Sequence, residues 1–146
     1  MQTALKGDLG AFNRLVMEHQ DGLYTFAYRV FGNETGAAEA MNATLRSAYR
    51  DLAHYRGPVR LWLLRHLSQA CREMLENGRP GNAGSQVAGL DGLRESLPVD
   101  LCLTLALVDG IELSYADCGQ VLGISPERVK QRVALARQQV MPGIFQ

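Results

Sequence analysis

Between Ala37 and Leu52, small and apolar residues return every third or fourth position without a break: Ala37, Ala40, Met41, Thr44, Leu45, Ala48, Tyr49 and Leu52. That period puts them on one face of an α-helix and on no single face of a strand. The same period governs the rest of the chain. Ala11, Phe12, Leu15 and Val16 suit a first helix capped by Asp8, and Leu23, Phe26, Ala27 and Val30 form the stripe of a second, with Asp21-Gly22 as their junction. Thr35 is placed to cap the third helix. Gly57-Pro58 interrupts the chain, and Leu61, Leu64, Ser68, Cys71 and Leu75 trace a fourth. Sustained alternation bounded by turn dipeptides, the mark of hairpins, is missing from the sequence. The expected fold class is all-α.

The stretch 77–92 carries Gly78, Gly81, Gly84, Gly89, Gly92 and Pro80 with few large apolar residues, the composition of a flexible linker. It divides the chain into two small helical domains, 1–76 and 93–146. Its glycines do not make a phosphate cradle, because no strand precedes them and no Gly-Lys-Ser/Thr follows.

Beyond the linker, Pro98 suits the first position of a helix through Leu101, Leu105 and Val108 that Gly110 ends. Ser114 with Asp117 forms a capping box, so a short helix is expected over 115–122, stopped by Gly123. Ser125 can cap the next, with Pro126 first and Glu127 in its first turn, where the helix dipole favours an acid. Two helices joined by so short a turn cross only if a small residue faces the crossing, the turn can enter the left-handed region, and apolar anchors flank it. Gly119, Gly123, Ile124 and Val129 meet those needs, and the second domain is read as a helix-turn-helix.

In the last helix Val129, Val133, Ala136 and Val140 form the inward stripe, leaving Arg128, Lys130, Gln131, Arg132 and Arg137 at least partly outward. Fifteen basic and fifteen acidic residues cancel over the whole chain. No general field therefore draws it to nucleic acid, and any DNA binding must come from a local patch such as this one. Ser125, Glu127 and these five polar residues are the candidate DNA-binding set. Arg128 suits guanine and Gln131 adenine in the major groove, while Lys and Arg elsewhere suit phosphates.

Other classes find little support. The three cysteines, Cys71, Cys102 and Cys118, lie far apart with no Cys-x-x-Cys pair, and are read as reduced core thiols. His19, His54 and His66 are scattered, and no GxSxG, Walker or HExxH motif occurs, so neither an enzyme nor a metal or cofactor site is expected. No apolar run approaches the ~20 residues of a membrane span, and a cytoplasmic protein without a membrane partner is expected.

The assembled motifs resemble the extracytoplasmic-function (ECF) sigma factors over nearly the whole chain. Gly7-Asp8, Ala11-Phe12 and Leu15 look like that family's opening GDxxAFxxL. The segment 37–50 is similar to its DAEDAVQETFLRAYR, and Trp62-Leu63 to its WLxxIAxN. Leu97-Pro98, Leu113-Ser114-Tyr115, the run 121–125, Val129-Lys130, Arg132 and Ala136-Arg137 match LP...LSYxEIAxVLGIS...VKxRxxRAR. The resemblance implies RNA polymerase core and promoter DNA as partners, and four helices in each half. By matched position it implies that Glu39, Met41, Asn42 and Leu45 face polymerase, and that Tyr55, Arg56, Arg60 and Trp62 approach the melted strand. A tryptophan at Trp62 can stack on a base, although one opening an amphipathic helix more often belongs to the core.

The chain also departs from that pattern. Glu39 and Asn42 stand where Asp and Gln are usual, and Ala38 and Ala43 where Glu is common. Gln69, Glu73 and Glu76 replace Asn, Asp and Arg, and Cys102 and Leu135 each replace an Arg. A carboxylate near a phosphate backbone repels it. Two functions follow: a promoter-directing initiation factor, and a diverged sigma-like interaction protein that binds an anti-sigma factor or polymerase without opening promoters.

Overall fold

The computed structural model describes residues 9–77 and 97–140, and every regular element among them is helical. The proposed cap at Asp8, the linker from Gly78 to Gly92 and the side chain of Val140 lie outside the described residues.

Helix α1, Leu9–Phe31, runs straight through Asp21-Gly22, where two helices were expected. The buried residues Phe12, Val16, Leu23, Phe26 and Val30 keep one helical phase across that point. A glycine inside a helix costs about 1 kcal/mol. Burying a leucine or phenylalanine returns roughly 1.5–3 kcal/mol each, so the stripe outweighs the break. Gly32, at φ 74°, ends α1. Only Asn33 then remains before α2, Glu34–Arg50, and Asn33 is its cap in place of Thr35. Its Oδ1 accepts from the Gly36 N–H at 2.7 Å and its Nδ2 donates to the Phe31 carbonyl at 3.1 Å. Leu52 falls beyond α2 in a 3₁₀ turn, Leu52–His54, and is still buried.

Helix α3, Val59–Glu76, follows Pro58. Pro58 and Pro98 each sit just before a helix rather than at its first position, so α4, Val99–Leu105, begins one residue later than expected. It continues as a π-helical turn, Ala106–Gly110, whose exit places Glu112 in the left-handed region at φ 61°. Helices α5, Tyr115–Leu122, and α6, Pro126–Val140, complete the chain.

The first three helices pack on one another, as do α4 with α6 and α5 with α6. The halves also meet: α3 packs against α4 and α5, and α1 against the π turn. One hydrophobic cluster runs through both, from Phe12 and Phe26 through Leu63 and Leu67 to Leu103, Leu107 and Val133. Polar contacts edge this seam. Arg60 donates to the Ile111 carbonyl at 3.4 Å, Arg65 to the Gln120 carbonyl at 3.2 Å, and Arg72 meets Asp100 at 2.8 Å. Among the described residues no helix is long and apolar enough to cross a membrane.

Cys71, Cys102 and Cys118 are buried and form no disulfide, as expected of core thiols. Burial, and then the neighbouring Cys102, pushes the Cys71 thiol well above its ordinary value, and burial pushes Cys118 up to about 12 against the opposing pull of Arg132. In the unfolded chain these thiols ionise near 9, while the native thiols stay protonated, so their contribution to stability is present below that pH and is lost as pH rises above it. Native protein at pH 8 should therefore resist iodoacetamide at all three cysteines, and mass spectrometry should find three labels only after denaturation. Rapid native labelling of Cys118 would contradict this packing.

Candidate nucleic-acid interface

Ser114 caps α5 by accepting from the Asp117 N–H at 3.0 Å, the serine half of the capping box expected from the sequence. At the other end Gly123, at φ 76°, takes the left-handed turn, and the Gly119 carbonyl accepts from both Gly123 N–H, at 2.7 Å, and Ile124 N–H, at 3.0 Å. A Cβ on Gly119 would lie 2.5 Å from the Ile124 carbonyl oxygen, closer than any side chain tolerates. This close approach folds the turn back onto α5. Ser125 then accepts from the Arg128 N–H at 3.1 Å, starting α6.

Val129, Val133 and Ala136 of α6 are buried. Glu127, Arg128, Lys130 and Gln131 are exposed on its first turns, and the two cations have no ion pair among the described residues. The other two basic residues are engaged. Arg132 is half-buried, 3.9 Å from Asp100. Arg137 grips Asp109 on the π turn with two hydrogen bonds, Nε–Oδ2 at 3.0 Å and a second from Nη2 to Oδ1, which raise its already high pKa. The accessible positive charge of α6 is thus concentrated at its N-terminal end, beside the turn.

The four residues matched to a polymerase-facing surface divide between two grooves. Met41 and Asn42 line one between α1 and α2, about 460 Å³ in volume, with Tyr24 and Thr25 across it. Glu39 lines another between α2 and α3, beside Arg46 and Glu73. Leu45 is half-buried against the core.

The residues matched to strand capture are also differently placed. Trp62 is 4% exposed, with its ring edge-on to Tyr55 at 5.2 Å and to His66 at 5.0 Å. It belongs to the core, and no ring face is open for a base as the protein stands. Tyr55 is half-buried beside it, Arg56 is exposed, and Arg60 is bound to the Ile111 carbonyl.

Sequence reasoning missed a polar cluster here. His54 and His66 are brought together by Asp51, each 3.1 Å from one of its carboxylate oxygens, and the other ring nitrogen of His66 lies 2.7 Å from the Ser47 hydroxyl. Only the three-residue spacing of Asp51 and His54 was visible beforehand. The contact with His66 spans two helices. Among the described residues no group of His, Cys, Asp and Glu is arranged to hold a metal.

No family model matches the chain. It is similar to the ECF RNA polymerase sigma factor SigE of Mycolicibacterium smegmatis, 25% identical over 156 residues, covering 89% of this chain. It is similar also to the ECF RNA polymerase sigma factor SigM of Mycobacterium tuberculosis, 26% identical over 148 residues, covering 90% of this chain and 76% of SigM. Among solved structures it resembles CnrH, determined in complex with the cytosolic domain of CnrY, with TM-score 0.78 and 25% identity over 99% of this chain and 94% of that one. In sequence and in fold the chain resembles ECF sigma factors. It spans 60% of the length of SigE. Within this ECF-type fold, the α5–turn–α6 unit depends on the space left by Gly119.

Gly119→Ala should destabilise the protein. Alanine gains about 0.5–1 kcal/mol over glycine as a helix former, but overpacking against a fixed backbone oxygen typically costs ~1–3 kcal/mol. A lower urea midpoint with unchanged slope is expected, and an equal or higher midpoint would mean that the turn does not depend on this contact.

Proposed function

We propose that the chain is a sigma factor that binds the RNA polymerase core and directs it to promoter DNA. In this reading residues 1–76 dock on polymerase and capture the melted strand, 77–92 link the halves, and 93–146 read the upstream promoter element. The observation that carries it is the start of α6: a capped helix following a tight turn, presenting Arg128, Lys130 and Gln131 to solvent in an otherwise neutral protein. Such a helix end can enter a major groove with its first residues toward base edges, while lysine and arginine meet phosphates. The protein acts by binding rather than by catalysis, and does so in the cytoplasm, where polymerase and promoters are.

A second reading, a sigma-like interaction protein, is favoured by one group of observations. Trp62 is enclosed, and Arg60, Arg65 and Arg137 are all engaged within the fold. CnrH is bound by the cytosolic domain of CnrY. We propose a comparable protein partner, of the anti-sigma kind, for this chain.

Salt titration of the full chain on duplex DNA separates these readings. Lys130→Ala should weaken binding about equally on all sequences and reduce the salt slope by about one unit. Arg128→Ala or Gln131→Ala should cost ~1–3 kcal/mol on a selected site and relax its preference. Arg137→Ala should have the smaller effect on DNA, because its guanidinium is held by Asp109. Absence of salt-dependent binding by the unsubstituted chain would favour the interaction protein.

A further inference from the structure

At the seam between the halves lies a cavity of about 410 Å³ that is open to solvent on one side, within the range of small-ligand sites. One face of α3 forms a wall, where Arg65, Ser68, Gln69 and Arg72 follow at helical spacing, and Val121 and Leu122 of α5 close the opposite side. Arg56 stands at the connection between α2 and α3. Three guanidinium groups thus line the space against one carboxylate, Asp51, both of whose oxygens are already met by histidines.

The donors here outnumber the acceptors. Arg56 has no hydrogen bond or ion pair among the described residues, and a single nitrogen of Arg65 serves the Gln120 carbonyl, out of five N–H donors in a guanidinium. Arg72 is shared with Asp100 at 2.8 Å and, at 3.9 Å, with Glu76. Ser68 is more telling. Its residue is 4% exposed, it lines the cavity, and its hydroxyl has no hydrogen-bond partner. The other buried hydroxyls, Thr44 and Thr104, each donate to the carbonyl four residues earlier at 2.7 Å. A buried hydroxyl left unpaired is costly; its oxygen is closed to water-sized groups in the empty cavity, and an acceptor that enters and shifts the wall slightly would relieve it.

We propose that this cavity binds a small diphosphate-bearing anion, and that the bound anion braces the two halves against each other. Phosphate oxygens are acceptors only and suit the planar donor fork of arginine. Arg65 and Arg72 are seven residues apart, two turns along one face of α3, so their long side chains can approach the two phosphoryl groups of a diphosphate from either end. Since Arg65 also holds Gln120 and Arg72 holds Asp100, an anion that fixes these side chains fixes the seam. Arg56 and Trp62 belong also to the set matched to strand capture, so single-stranded DNA is included among the outcomes below.

Trp62, the single tryptophan of the chain, lines the cavity and reports on it directly. The full chain should be titrated with inorganic pyrophosphate, inorganic phosphate and ADP at constant ionic strength while its fluorescence and thermal midpoint are followed. Pyrophosphate should give a saturable change and raise the midpoint, and phosphate should bind more weakly. Tighter binding of ADP would support the site and identify a nucleotide as its source. Ser68→Ala should weaken pyrophosphate about 10-fold or more, the scale of a hydrogen bond to a charged group, without lowering the midpoint of the free protein. Arg56→Ala, at an exposed side chain, provides a second variant with the same expected loss. A response equal for all salts, equal affinity in both variants, or binding confined to single-stranded oligonucleotides would overturn the proposal. No readout involves duplex DNA or polymerase, so failure here leaves the sigma reading intact.

Discussion

The burial of α3 between the two halves is the contact on which the rest of the structure depends. Val59, Leu61, Trp62, Leu63, Leu64, Leu67, Ala70, Cys71 and Met74 are all buried, so the helix is apolar around most of its circumference. A helix of that kind has neighbours on several sides. Here α1 and α2 take one part of it and α4 and α5 another. At roughly 1.5–3 kcal/mol for each large side chain removed from water, this helix supplies a large share of the hydrophobic drive. Its remaining edge carries Arg65, Gln69 and Arg72, and that edge is left to face the cavity.

Enclosing α3 places limits on the side chains beside it. Trp62 gains tight edge contacts and loses the open ring face that stacking on a base needs. Arg60 and Arg65 are drawn to backbone carbonyls of the second half. The same economy appears on α6, where Asp109 on the π turn claims Arg137 and leaves Arg128 and Lys130 as the accessible cations. Charge count therefore overstates what the last helix offers to a phosphate backbone. Position relative to the π turn decides which cations are available.

Local features were legible in the sequence. Ser114, Gly119, Gly123 and Ser125 act through neighbours a few residues away, so their caps, turn and close approach could be read from spacing alone. The continuity of α1 through Gly22 was not legible, because it depends on what Leu23 and Phe26 bury against rather than on the glycine itself. The cap at Asn33 depended on where α1 stopped. The pairing of Arg137 with Asp109 and the meeting of His54, His66 and Ser47 around Asp51 join different elements. A stripe pattern carries no information about which outward faces will meet. The candidate polymerase-facing residues illustrate this, since Glu39 and Asn42 are neighbours on α2 but line different grooves.

Promoter opening directed by this chain is the central proposal. Its most direct test is permanganate footprinting of a promoter selected by the full protein, with purified RNA polymerase core present. Reactive thymines in the opened segment should appear only when both core and the chain are added, and should be lost with Arg128→Ala at moderate salt. Retention of core by the chain with no reactive thymines on any selected promoter would contradict the account and leave the sigma-like interaction protein in its place.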